Sequence, residues 1–547
     1  MASNLPDYVA SAQPVPQANR IPWFSSTAQT YAGIMLWFVF WQDVPVGSGI
    51  TPKMGQYSEF AGGILSHGLG VAFVGLILAA LLCHFLFYLV PGLLGMKTGL
   101  PLYIVGTSTY GVEGGFLMPG FLMGVLQFGW LGVNAFFAGL LLCEPFGYGA
   151  LTVPHAVVCA LWAIAAAFMG LKGIQYVARV ATFFPLIPLT ILAILFVASV
   201  GGLGGFETKS LIADGDGKVV EVKDSEFVQQ RVPDAPPVSV NVDTESDVTT
   251  TTYRAHWVEV EKTETFVTKP ALPGWKVIAL ICTYIVGFFA TAGAAGTDFG
   301  MNNRNARDVQ LGGLVGIALA TILSGGLAIL IVAGAHGSGL ASDGAVLRAT
   351  GLMEGIMGGL MEPIVGGLQA IGLTRDTMDG EAAGKTCSAV FMYLLALAAF
   401  PPACFSSFIA ANSFKTTLPK TNPFVSVGCG TAVAILLAVS GLAGDVIGMF
   451  KLIGASFGPI CGAMAADYLL AGKRWAGPRA GFNPAGWISW IVGFVVGAGD
   501  FIPGIAGQIP CPPVAAFVVG FVLYYLLAKA GMESATLEMP ASRSDPA

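Results

Sequence analysis

The chain has 547 residues, of which 55% are hydrophobic and only 11% charged, and its mean hydropathy is +0.73. A soluble surface uses about 25% charged residues, so lipid must solvate much of this one. The net charge of −6 and pI near 5.4 exclude a nucleic-acid partner. The nine cysteines are scattered through apolar runs with no CxxC pair, which argues for small buried hydrophobes rather than a metal or disulfide framework.

Residues 1–22 are polar and proline-bearing, without a signal-peptide pattern, so a cytoplasmic N-terminal tail is expected. Beyond it, apolar runs of about 20 residues, enough to cross the hydrocarbon layer, recur twelve times. They lie near 27–50, 61–92, 115–142, 152–170, 178–200, 275–297, 309–335, 386–410, 423–443, 446–471, 485–505 and 511–531. With the N-terminus inside, Lys97, Lys172, Arg179, Arg304, Arg307, Lys415, Lys420, Lys473, Arg474 and Arg479 all fall in inner loops. The short outer loops 143–151, 444–445 and 506–510 hold no Lys or Arg. This positive-inside pattern predicts a multi-pass protein of the plasma membrane (the inner membrane of a bacterium) with both termini cytoplasmic. The fold class expected is an all-α bundle, divided into spans 1–5 (23–204), spans 6–10 (273–471), spans 11–12 (472–531) and a C-terminal tail (532–547).

Two outer segments are long. Residues 205–272 carry 13 of the 32 acidic residues and alternate in stretches such as Trp257-Val258-Glu259-Val260-Glu261, a period-two pattern that predicts a small β-rich extracytoplasmic insertion. It is either a solvated insertion without activity of its own or a docking and sensing module. Residues 336–385 are too glycine-rich to span and are expected to form an outer helix or half-hairpin over the bundle.

Two spans carry helix-breaking chemistry. Span 1 contains Gln42-Asp43-Val44-Pro45-Val46-Gly47, and span 6 contains Ala292-Gly293-Ala294-Ala295-Gly296-Thr297-Asp298. Interrupted helices at corresponding places, five spans apart, point to an inverted-repeat transporter with its site at the repeat interface; glycine used only for close helix packing is the plainer alternative. Asp43 and Asp298 are candidate proton carriers, because ionisable residues within spans tend to mark relays. For Asp298 an ion pair with Arg304 or Arg307 is equally open. In span 3, Gln127, Trp130 and Asn134 share one helical face. An amide beside an indole suits a flat heterocycle, the amide reading its edge and the ring its face; interhelical amide bonding is the alternative.

Gly95-Met96-Lys97-Thr98-Gly99-Leu100, Tyr110-Gly111-Val112-Glu113-Gly114 and Gln127-Phe128-Gly129-Trp130-Leu131-Gly132-Val133 resemble consecutive motifs of cytosine permeases. So do Ile285-Val286-Gly287-Phe288-Phe289-Ala290-Thr291-Ala292-Gly293 with Thr297-Asp298-Phe299, and Phe457-Gly458-Pro459-Ile460-Cys461-Gly462 with Ala466-Asp467-Tyr468. The chain thus resembles the nucleobase:cation symporter-1 family over roughly residues 20–530, outside the two insertions. That resemblance implies a 5+5 inverted repeat with two further helices, alternating access, and cation-coupled import of a nucleobase or related small heterocycle. It also implies that Trp130 and Phe289 stack the substrate, and that Gln42, Asn134 and Ser406 read its edges.

Span 8 departs from the family. Sodium-coupled relatives place hydroxyls where this chain has Ala399-Phe400-Pro401-Pro402-Ala403-Cys404, side chains with no oxygen for a hard cation. A proton is therefore favoured over sodium. One proton suffices: about 2.3 kcal/mol per charge at 100 mV supports roughly 50-fold accumulation of a neutral solute. No HExxH or Walker motif and no paired catalytic carboxylates stand out, and the five histidines are dispersed, so neither an enzyme nor a cofactor is expected. The alternative to transport is a transporter-like receptor that uses the 205–272 insertion.

Overall fold

The computed structural model describes residues 5–25, 41, 45, 63–172, 184, 186–206, 223–233, 255–265, 273–340, 349–371, 379–418 and 420–539. Gln42 and Asp43, and with them the expected break in span 1, lie outside the described residues.

Among the described residues, eleven principal helices follow apolar runs and a twelfth lies in the outer segment 336–385. They are α1 (Gly68–Thr98), α2 (Val112–Phe146), α3 (Val153–Lys172), α4 (Leu186–Gly205), α5 (Gly274–Ala294) and α6 (Ala306–Gly337). Then come α7 (Ala349–Ala370), α8 (Gly380–Thr417), α9 (Pro423–Val439), α10 (Val446–Leu470), α11 (Pro484–Gly497) and α12 (Pro512–Lys529). Among the described residues, nine helices are long and apolar enough to cross a membrane, and α9 and α11 are shorter apolar helices. Their ends carry ordinary stop and start chemistry. Asn422 and Asp445 accept the backbone N–H of Phe424 and Gly448 as N-caps of α9 and α10, and Pro423, Pro484 and Pro512 sit where the missing N–H costs nothing. Gly99, left-handed at φ 67°, ends α1. On α3 the outward stripe Val153, Val157, Leu161, Ile164 and Phe168 is exposed, the helical spacing of a lipid-facing side.

The helices pack in two groups. One comprises α2, α3, α8 and α9; the other comprises α1, α5 and α6 together with α10, α11 and α12. Close approach within the second group depends on glycine. A Cβ on Gly95 of α1 would lie 2.0 Å from the Thr297 carbonyl oxygen, and one on Gly300 equally close to that of Gly92, the small-residue contact by which membrane helices meet.

Differences from the sequence reading have local causes. The interruption of span 6 is one residue: α5 ends at Ala294 and a short helix resumes over Gly296–Gly300. Hydrogen bonds from Asp298 and Phe299 to the Ala295 carbonyl, 2.9 and 3.1 Å, carry the chain across, so this is a jog and not an unwound stretch. Between spans 7 and 8 lies α7, packed against α8, and α8 starts at Gly380, six residues earlier than expected. Span 11 stops as α-helix at Gly497 and passes into a tight turn over Gly499–Phe501. Residues 209–271 form a separate unit, in which strands β1 (Lys223–Pro233) and β2 (Ala255–Thr265) pair antiparallel with Lys223 opposite Thr265.

At the end of the bundle where α10 and α12 terminate, a buried polar network joins four chain segments. Arg479 reaches Asp467 at 2.9 Å and Glu533 at 2.7 Å. The Asp467 carboxylate also accepts from Ser108 (2.5 Å) and Thr109 (3.2 Å), and the Tyr524 hydroxyl lies 3.1 Å from Asp467 and 3.0 Å from Glu533. Asn483 donates to the Thr109 carbonyl at 2.7 Å. Burial works against the charge of Arg479, but the neighbouring carboxylates outweigh it and hold the guanidinium above its ordinary pKa. The turn before α2 depends on Gly111, at φ 83°, where a Cβ would meet the Gly481 carbonyl oxygen at 2.1 Å.

Candidate functional site

On the face of α2 predicted from spacing, Trp130 points into the contact between the two groups. Trp130 is partly buried there, and its indole Nε1 donates to Thr291 Oγ1 of α5 at 3.3 Å. Phe288, one turn before Thr291, sets its edge toward the indole with centroids 5.0 Å apart at 83°. Phe450 of α10 inclines over the same indole at 5.5 Å and 37°, and meets Phe288 at 5.3 Å. Three helices thus bring three rings together around one hydrogen-bonded indole. Such an aromatic wall offers π-faces and edges to a planar guest.

Phe289, the ring assigned to stacking by resemblance, is 1% exposed and meets Phe288 at 5.5 Å. The aromatic that α5 sets against Trp130 is its neighbour Phe288. The signal was available in the sequence: Phe288 and Thr291 are three residues apart and share a helical face, so the residue that bonds the indole and the one that edges it come as a pair. Phe450 had no such signal, since only tertiary packing brings α10 to this point.

Asn134 is committed to the protein at both ends of its amide. Its Nδ2 donates to the Ala399 carbonyl of α8 at 2.8 Å, and its Oδ1 accepts from the Trp162 indole of α3 at 2.9 Å. Pro401 and Pro402 lie inside α8 and lack N–H groups, which loosens the helix's own hydrogen-bond ladder just where this amide attaches. Phe400 then packs edge-on against Trp162 at 5.0 Å. For Asn134 the structure matches the interhelical bonding alternative. Gln127, one turn before Trp130, is buried and its Nε2 lies 3.5 Å from Met123 Sδ, a weak partner for an amide donor.

Ser406 is partly buried on α8. The contacts of Asn134 with Ala399, and of Ser413 Oγ with the Gly120 carbonyl at 2.5 Å, fix one antiparallel register between α2 and α8. That register sets Ser406 level with Gln127. Its neighbour Ser407 is fully buried and donates to the Ala403 carbonyl of its own helix at 3.2 Å. Gln127 and Ser406 therefore lie at one depth, with Trp130 one turn beyond them and Asn134 a turn further.

Asp298 stands apart from this cluster. Its Oδ1 accepts the backbone N–H of Leu102 at 3.0 Å, tying the Gly296–Gly300 helix to the segment between α1 and α2. Arg304, just before α6, is bound to Asp308 in its first turn through two bonds of 2.9 and 3.2 Å, so Arg304, one of the two arginines left open as a partner of Asp298, is paired elsewhere. From the region of span 1, the neighbouring Trp41 is 1% exposed and donates its Nε1 to the Ala328 carbonyl of α6 at 3.1 Å. Among the described residues, no group of three or more His, Cys, Asp or Glu is disposed to hold a metal ion.

The fold has counterparts among solved structures. The inward-facing conformation of Mhp1 superposes with a TM-score of 0.58, covering 97% of this chain and 94% of that one at 15% identity. The chain has the Mhp1 fold. Mhp1 in its closed conformation with bromovinylhydantoin bound, described as a nucleobase-cation-symport-1 family transporter, matches with a TM-score of 0.55 over 95% and 96% of the two chains, at 15% identity. A Na+-coupled sialic acid symporter in a substrate-bound outward-open state matches at 0.50, with 13% identity over 97% and 93%. No family model and no curated protein matches the chain. At these identities the likeness is one of fold.

Proposed function

We propose that this protein is a secondary active transporter of the nucleobase:cation symporter-1 family, importing a nucleobase or related small heterocycle across the plasma membrane together with a cation. The observation that carries the reading is the ring cluster of Trp130, Phe288 and Phe450, contributed by α2, α5 and α10 at the junction of two packed groups. In this reading the substrate lies against Trp130 between the groups. Gln127 and Ser406 read its edges together with Gln42 from span 1, Phe289 backs Phe288, and Asn134 holds α2, α3 and α8 in register. Twelve spans in a 5+5 inverted repeat, both termini cytoplasmic and a β-rich outer insertion over 205–272 complete the proposed architecture. No step of it requires a catalytic centre or a cofactor.

A proton is the favoured coupling ion. The α8 stretch from Ala399 to Cys404 presents no side-chain oxygen, and the adjacent Ser407 hydroxyl is turned onto its own helix, whereas a hard cation needs an oxygen shell. Asp43 and Asp298 are the proposed proton carriers. The test is uptake into proteoliposomes under an imposed pH gradient or an imposed sodium gradient, with radiolabelled cytosine, hypoxanthine, uracil and allantoin. The pH gradient alone should drive accumulation. Accumulation driven only by sodium would reject proton coupling, and no accumulation under either gradient would reject the substrate class.

A further inference from the structure

Residues 5–25 run across one end of the bundle, and they are bonded at both ends of their path. Near the start, Val9 is fully buried and Leu5 nearly so. The Tyr8 hydroxyl donates to the Val112 carbonyl, and its ring meets Phe116 at 5.9 Å, both residues at the entry to α2. Burial, then the charge of Glu113, pushes this hydroxyl above its ordinary pKa, so it keeps the proton it donates. Farther along, the segment bonds to the end of α1 and to the linker between α5 and α6. Val15 N–H donates to the Gly99 carbonyl at 2.9 Å, and Arg20 Nη1 to that of Met96 at 2.5 Å. Ile21 N–H donates to the Asn302 carbonyl at 2.8 Å, and Gln17 Nε2 to that of Arg304 at 2.9 Å.

The two ends of this path hold different parts of the molecule. Phe116 starts the part of α2 that packs with α8, whereas Met96 ends α1 and Asn302 and Arg304 lie in the linker between α5 and α6. We propose that residues 5–25 form a strap that ties the two helix groups together at this end, and that its Tyr8 end must release before the bundle opens there. The proposal rests on the alternating-access reading above; in the topology given there, the end that opens is the cytoplasmic one. A segment bonded to both bodies at once resists their separation, and each bond lost shifts the population toward the open form.

The experiment uses the full-length protein in detergent, with no substrate present. Cys387, Cys429 and Cys511, the cysteines not buried, are replaced by Ser. Spin labels are placed at Lys415→Cys near the end of α8 and Gln310→Cys near the start of α6, both exposed positions at the strapped end. Double electron–electron resonance then compares the parent with Val9→Asp, with Tyr8→Phe and with a chain lacking residues 2–12. The strap predicts a longer-distance population that rises roughly tenfold relative to the short one in Val9→Asp and in the deletion, with a smaller shift the same way in Tyr8→Phe. The deletion removes no span, so it remains informative even where the Asp variant misfolds. Distance distributions in the deletion that superpose on the parent would overturn the proposal. Because no substrate is used, a chain that carries none of the heterocycles still reports on the strap. Unchanged distances in a chain that does carry them would refute the strap alone.

Discussion

The rings of Trp130 and Phe450 lie 5.5 Å apart and 37° out of parallel, so a residue of α10 covers the indole that α2 presents to the centre of the bundle. Phe288 meets both rings from α5. This contact is the link between the fold and the proposed substrate, and it separates residues that should affect binding from those that should affect stability.

Phe288 and Phe289 should therefore behave differently although they are adjacent. Phe288→Ala takes one ring from the cluster around Trp130 and should weaken half-saturation for the transported heterocycle roughly tenfold, the size of a stacking contact of about 1–3 kcal/mol. Phe289 is 1% exposed, and its truncation should cost about 3 kcal/mol of stability while leaving affinity in the surviving protein within a few-fold. Uptake kinetics paired with thermal unfolding of the purified variants reads both effects.

Asn134 and Gln127 should separate in the same way. Asn134→Leu breaks two interhelical bonds and should lower the thermal midpoint by the equivalent of about 1 kcal/mol, with half-saturation little changed. Gln127→Leu gives up only a weak sulfur contact within the protein. It should leave the midpoint in place and reduce affinity by roughly tenfold, the loss of one hydrogen bond to substrate.

The buried Arg479 network should matter more to folding than any residue near the rings. Arg479→Ala leaves Asp467 and Glu533 facing each other without their shared cation, which should cost about 3–5 kcal/mol. The expected readout is loss of monodisperse protein in detergent. Arg479→Lys should recover little of it, since an ammonium cannot reach both carboxylates and the Ser108 carbonyl with one fork.

Removal of residues 209–271, which form their own unit, should leave saturable uptake within about twofold of the parent, because the rings and the Asn134 tie all lie in the other unit. Abolished uptake in a deletion that still reaches the membrane would favour the receptor reading of the insertion.

Much of the bundle was legible in the sequence because a span is a property of about 20 consecutive residues. The runs at 115–142, 275–297 and 446–471 reappear as α2, α5 and α10 within a few residues. The shared face of Gln127, Trp130 and Asn134 was legible too, as helical spacing alone decides it. What those side chains touch was not. The double commitment of Asn134 depends on the Ala399 carbonyl and on Trp162, 265 and 28 residues away. The preference for Phe288 over Phe289 is a matter of rotation about one helix. The closeness of Phe450 to Trp130 and the path of residues 5–25 along the bundle end are tertiary facts with no local signature. The sequence left Asp298 open between a coupling role and an ion pair with Arg304 or Arg307; the fold sets the Leu102 N–H against the carboxylate and gives Arg304 to Asp308, contacts that no local spacing signals.

Saturable uptake of radiolabelled cytosine, hypoxanthine, uracil and allantoin by cells expressing the parent chain or Trp130→Ala tests the central claim most directly. The account predicts saturable uptake of at least one of them by the parent, abolished by a protonophore, and its loss in Trp130→Ala protein present in the membrane at parental amounts. Undiminished uptake by Trp130→Ala would contradict the assigned site, and absence of uptake by the parent for all four would contradict the assigned substrate class.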